Sequence, residues 1–352
     1  MPQFPQELVN AFIECLIIDR SHALQMPPLV FTTLLSCALV SQSFSAPARK
    51  HLFSSISLDL YKPIGKSQGN KVPRSPEDVS RRIKVLGELL ANEESDLRPL
   101  ITSFCLEVDE AQTIFDDSSG VHTVLRLLST ACNLKSFKLT STIQPELSWT
   151  NLRMEVRELL TTFCCSPSIK SLSVSHFSDV PVDLVLGNPR IASLWLVQTT
   201  FSKSPGFITS ESSPVEVTPP TTIKRLNISF YLAEFWEHFS SIDRIFSDIE
   251  NFGTSIYSQT EVGIFKTVLD RMPRSLKSLD LIFWGHTFED LIRSLDMRIL
   301  RCLRTITFCL VLGSQYPGRG SEYHCSSAII PHTRRNTHIP SPQRLRRRTR
   351  KS

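Results

Sequence analysis

Eight short segments of the chain repeat one pattern, an apolar residue, two variable residues, then two apolar residues separated by one. They are Phe53/Ile56/Leu58, Ile101/Phe104/Leu106, Leu134/Phe137/Leu139, Ile169/Leu172/Val174, Ile191/Leu194/Leu196, Ile223/Leu226/Ile228, Leu276/Leu279/Leu281 and Leu303/Ile306/Phe308. In each, the last pair alternates as side chains do on one face of a short strand. Runs of helical period lie between them: Val79 to Ala91, Val121 to Cys132, Leu152 to Cys164, Gly263 to Arg271 and Phe288 to Arg301. Strand, helix and strand again in series is the grammar of a solenoid, in which parallel strands line one wall and helices the other. The expected fold class is therefore α/β, and a parallel sheet of another topology satisfies the same strands.

The starts of these segments lie 48, 33, 35, 22, 32, 53 and 27 residues apart. That spacing is less even than the ~20–29 residues of a regular leucine-rich repeat, so the pattern reads as a degenerate, irregular version of one. The two wide gaps predict added elements. In the second, Tyr231-Leu232-Ala233-Glu234-Phe235-Trp236 through Phe252 reads as an aromatic helix. Proline-rich and polar linkers are expected over Lys62 to Pro76 and Ser202 to Thr222.

Ahead of the first strand the period is helical throughout. After Pro5, apolar residues recur at Leu8, Val9, Phe12, Ile13, Leu16 and Ile17; a polar, proline-bearing break follows from Asp19 to Pro28. A second helical run covers Leu29 to Phe44, and a third, shorter piece covers Pro47 to Phe53. The strings Pro5-Gln6-Glu7-Leu8-Val9, Ser36-Cys37-Ala38-Leu39-Val40-Ser41-Gln42-Ser43-Phe44 and Arg49-Lys50-His51-Leu52-Phe53 resemble the F-box of fungal F-box proteins with leucine-rich-repeat-like C-terminal regions. The chain departs from that pattern at Phe4, where a leucine is usual, and at Phe44, where a tryptophan often sits.

The resemblance implies a helical hook that inserts into the adaptor subunit of a cullin–RING ubiquitin ligase. By the same likeness Pro5, Leu8, Ile13, Leu35, Leu39 and Val40 face the adaptor groove or the hook's own small core. The implied function is substrate recognition for an SCF-type ligase, with an unidentified target protein held by the repeat body. No catalytic residue is needed for that. The alternative is a non-catalytic intracellular scaffold whose first helices only cap the solenoid, since a core helical hairpin needs the same period and no partner. The expected division is thus 1–53 as the helical module, 54–312 as the repeat body and 313–352 as a basic tail.

With 41% hydrophobic and 21% charged residues the composition is that of an ordinary globular protein. The nine cysteines are odd in number, mostly lie in apolar periodic segments and include no C-x-x-C pair, which predicts a reducing compartment, cytoplasmic or nuclear, and no structural metal. No run of about eighteen uncharged apolar residues appears, so no membrane partner is expected.

From Gly313 to Ser352 nine basic residues face a single glutamate, a net of +8, which leaves the other 312 residues at −3. This stretch has no apolar period and is expected to be disordered. Its Arg344-Leu345-Arg346-Arg347-Arg348-Thr349-Arg350-Lys351 run reads equally as an import signal, a nonspecific phosphate anchor or a solvated extension, and no specific nucleic-acid partner is expected.

Three common enzyme motifs are missing: the sequence holds no G-x-x-x-x-G-K-[ST], no G-x-G-x-x-G and no H-E-x-x-H. His176 with Asp179 and His286 with Asp290 are the nearest approach to an acid–base pair, on expected loops at one edge of the sheet. Glu93, Glu94 and Asp96, and Asp109 and Glu110 with Asp116 and Asp117, read as solvated loop charges. Neither enzymatic activity nor a cofactor is expected.

Overall fold

All eight apolar triplets mark strands, and within each of two units the strands pair in chain order. The computed structural model describes residues 5–15, 28–63, 71–93, 96–109, 112–115, 120–130, 133–142, 146–202, 222–272, 275–284, 300–311 and 323–329. The fold is α/β with many parallel strands, and the chain divides into two compact units, Met1–His176 and Phe177–Ser352.

The first unit opens with three helices, α1 (Gln6–Cys15), α2 (Pro28–Val40) and α3 (Gln42–Leu52). Strand β1 (Ser55–Leu58) is followed by β2 (Tyr61–Pro63), β3 (Lys71–Pro73), α4 (Pro76–Ala91), β4 (Ser103–Val108), α5 (Val121–Ser129), β5 (Ser136–Ser141), β6 (Leu147–Ser148), α6 (Met154–Cys164) and β7 (Ser171–Val180). Strands β1, β4, β5 and β7 form a parallel ladder. Its register puts Ile56, Phe104, Phe137 and Leu172 in one row and Leu58, Leu106, Leu139 and Val174 in another. Phe104, Phe137 and Leu172 are fully buried. Phe104 stacks on Phe137 at 6.1 Å, and Phe163 of α6 meets Phe137 edge-on at 4.7 Å, so the helices pack onto the apolar side of the ladder through rings.

The second unit runs through α7 (Val182–Leu186), β8 (Ser193–Phe201), β9 (Arg225–Ser229), α8 (Leu232–Phe239), α9 (Asp243–Phe246), β10 (Asn251–Ile256), α10 (Gln259–Asp270), β11 (Ser278–Trp284), β12 (Thr305–Val311) and β13 (Tyr323–Ile329). Strands β8 to β12 are parallel neighbours in chain order, with Leu194, Leu226, Phe252, Leu279 and Ile306 in one row. The same device opens the ladders of both units: a carbonyl just ahead of one strand accepts two successive N–H groups from the start of the next. Ser54 takes those of Thr102 and Ser103, and Thr102 those of Lys135 and Ser136; in the second unit Lys224 takes those of Glu250 and Asn251, and Glu250 those of Lys277 and Ser278. This recurring pair aligns the strand starts and satisfies backbone donors that a loop would otherwise leave to water.

Four expectations need correction. The helical run expected from Leu29 to Phe44 breaks at Ser41, whose extended backbone (φ −161°) ends α2 and starts α3, so Phe44 belongs to the third helix. That helix passes through Pro47. A proline leaves the carbonyl four residues earlier without its partner, and here the Ser43 carbonyl accepts the Gln6 side-chain amide at 3.1 Å. The aromatic helix expected from Tyr231 to Phe252 is instead α8, α9 and the start of β10, a further parallel strand with no apolar triplet. Within the stretch expected to lack regular structure, β13 pairs antiparallel with β12. The linker Lys62 to Pro76 holds part of the β2–β3 hairpin.

Most of the loop from Ser202 to Thr222, residues 288–299 of the last expected helix and most of the basic tail lie outside the described residues.

Candidate docking surface on the first helices

Helix α1 begins where the Pro5 carbonyl accepts the N–H groups of Leu8 and Val9, at 3.0 and 3.3 Å. A proline with no N–H of its own suits that place. The helix then divides its apolar residues between two faces. Val9 and Ile13, four apart, are buried at 2% and 0% exposure, while Leu8 and Phe12, also four apart, stand at 60% and 50%. One stripe is inside and the other is wet.

Helix α2, PLVFTTLLSCALV, is apolar on nearly every side. Such a helix is normally surrounded by other apolar groups. Only Leu34 is fully buried, with Val30, Cys37 and Ala38 packed beside it. Phe31, Leu35 and Leu39, at steps of four residues, form an exposed stripe, flanked by Leu29 and Val40; Leu39 and Leu29 are 88% and 79% exposed. Thr33 and Ser36 donate their hydroxyls to the Leu29 and Thr32 carbonyls, at 2.8 and 3.0 Å, so these polar groups are already satisfied inside the helix.

The inner faces of the three helices make a small core of Ile13, Leu34, Ala48 and Leu52, with Phe44 and Phe53 packed on it. Phe44 meets Phe12 edge to face, ring centroids 6.3 Å apart. Of the six residues the sequence singles out, Ile13 is sealed in this core, and Pro5, Leu8, Leu35, Leu39 and Val40 face solvent. Phe12, Leu29 and Phe31 belong to the same exposed set. Helical spacing from Leu8 and Leu35 gave the signal for Phe12 and Phe31. Burying a leucine- or phenylalanine-sized side chain is worth about 1.5–3 kcal/mol, so these stripes store several kcal/mol for whatever covers them.

The other chemistry-bearing residues form no comparable site. His176 and Asp179 lie within β7, both at positive φ (62° and 56°), rather than on loops. His286, Asp290, Glu94, Glu110, Asp116 and Asp117 lie outside the described residues. Among the described residues no group of three or more His, Cys, Asp or Glu is placed to hold a metal ion. Burial pushes the Cys164 thiol well above its usual range, which keeps it protonated and makes it a small apolar group in the core. Among the described residues no helix is long and apolar enough to cross a membrane.

No protein-family model matches the chain, and no curated protein matches it significantly.

Proposed function

We propose that the protein is a substrate-recognition adaptor of an SCF-type cullin–RING ubiquitin ligase, docking the ligase adaptor through α1 and α2 and a target protein through the body of parallel strands. The observation that carries this reading is the pair of exposed apolar stripes, Leu8/Phe12 and Phe31/Leu35/Leu39, over a small core the three helices share among themselves. They fall in the segment whose residues resemble an F-box. Strands that pair in parallel and in chain order, with helices between them, support the solenoid reading of the body. The mechanism is proximity: holding a target lysine beside a ubiquitin-loaded partner raises its effective concentration, and no catalytic group is required of this chain.

Co-purification tests it. Leu8→Asp with Leu39→Asp places two charges on the wet stripes, and this variant loses the ligase adaptor while its circular dichroism and thermal melt match the parent. Undiminished adaptor recovery by the double variant rules the docking mode out.

One contact favours the alternative, a scaffold whose first helices cap the solenoid: α3 packs against the short turn Arg98–Leu100 ahead of β4.

A further inference from the structure

The strand starts of the second unit carry a column of charge. Lys224, Glu250, Lys277 and Arg304 stand immediately ahead of β9, β10, β11 and β12, each at the position whose backbone takes part in the recurring double hydrogen bond. Neighbouring strands are about 4.8 Å apart, so these long side chains are neighbours. With Asp248 and Arg301 they line an open cleft of about 560 Å³.

Its charges are unevenly matched. Lys277 and Glu250 pair at 2.8 Å, and that lysine is the main reason the Glu250 carboxyl titrates below its usual range. Lys224, Arg301 and Arg304 have no ion-pair partner among the described residues, and all three are exposed. Ser275, also in the lining, has a hydroxyl with no hydrogen-bond partner among the described residues. Among the described lining residues four cations face two carboxylates, and this positive excess suits an anionic ligand. Two carboxylates in the same lining oppose a continuous polyanion, and among the described residues the lining has no aromatic ring on which a base would stack. A polypeptide fits better: its carboxylates are intermittent, and its backbone N–H groups suit an acceptor such as Asp248.

We propose that this cleft binds an acidic polypeptide segment, with Asp or Glu side chains seated on Lys224, Arg301 and Arg304. The binding depends on the second unit alone and is independent of any ligase docking by the first helices.

The test uses the full chain and a fluorescein-labelled (Ser-Glu)5 peptide, read by anisotropy at low salt. The peptide binds the parent, and (Ser-Gln)5 does not. R301E with R304E weakens binding at least tenfold. K135E with K170E, the same change in net charge on two exposed lysines ahead of β5 and β7, leaves it within twofold. Absence of binding by the parent overturns the proposal. Equal losses in the two double variants also overturn it, because attraction then belongs to net charge and to the arginine-rich end rather than to the cleft. A single-stranded oligothymidylate that binds the parent and loses the same factor in R301E with R304E would reassign the cleft to nucleic acid.

Discussion

Glu261 shows how a side chain can be legible as local structure and opaque as electrostatics. Ser258-Gln259-Thr260-Glu261 has the spacing of a capping box, and the Ser258 hydroxyl does accept the Glu261 N–H at 3.3 Å. The carboxylate in turn accepts the Tyr257 N–H at 2.7 Å. What the spacing does not reveal is burial: Glu261 is only 7% exposed, and burial raises its pKa despite the backbone donors around it. A carboxyl whose folded pKa lies above its unfolded one binds protons more readily in the native state. Its contribution to stability is therefore fully present below the unfolded carboxyl value and is lost as pH rises through the raised one. Glu261→Gln keeps an acceptor oxygen and removes the charge, so urea midpoints followed from pH 4 to 8 fall less steeply for this variant than for the parent. Parallel curves would show that the carboxylate is solvated. Glu234, which accepts the Phe201 N–H and is also raised by burial, has the same sign.

Gly253 is a second residue whose role appears only in three dimensions. A Cβ there would meet the Nδ2 and Cγ atoms of Asn227, its register partner on β9. Asn227 is held by a hydrogen bond from the Ser229 hydroxyl at 3.2 Å. Gly253→Ala forces that amide aside and costs about 1 kcal/mol, the net worth of one such bond. In an Asn227→Ala background the cost disappears, because the remaining Cβ is at ordinary contact distance (3.7 Å). Denaturant titration of the four proteins measures the coupling.

Among the elements, the strands that carry apolar triplets were legible because two alternating side chains on one face must be apolar when helices cover that face. β10 was not, because it buries Gly253, Thr254 and Ser255, and its apolar residues reduce to Phe252 and Ile256. The dense aromatics of Tyr231 to Trp236 drew the helical reading past its end. β13, with the sequence YHCSSAI, has no alternation to read. In α2 the composition is apolar on all sides, so period alone cannot say which residues are covered; the packing of α3 selects Leu34 for the inside and leaves Leu39 in water. That contrast sets a prediction. Phe137→Ala removes a ring packed against both Phe104 and Phe163 and destabilises by about 3–5 kcal/mol. Leu39→Ala changes stability by less than ~0.5 kcal/mol, although it is the larger loss to a docking surface. Equal destabilisation by the two would mean that α2 is covered by the chain itself.

At the scale of the whole molecule, the central issue is whether the first three helices belong to the body or stand beside it. Among the described residues the buried members of their core, Ile13, Leu34, Ala48 and Leu52, come from α1, α2 and α3, with Phe53 packed on them. The body has its own rows, from Ile56, Phe104, Phe137 and Leu172 onward, closed by rings of the intervening helices. Deleting residues 1–50 therefore removes most of one core and leaves the rows of the other in place, with Leu52, Phe53 and the Arg98–Leu100 turn newly exposed. A module with this arrangement leaves a remainder that is soluble and unfolds cooperatively, which size-exclusion chromatography and a thermal melt would register. A cap behaves differently: it covers the end of the ladder at β1, and its removal bares the apolar row itself, a surface of the kind that associates between chains. Aggregation of the shortened protein would thus assign α1–α3 to the solenoid and take away the reason for their wet stripes to seek a second polypeptide. A monodisperse remainder, together with loss of adaptor co-purification, would leave those stripes free for docking.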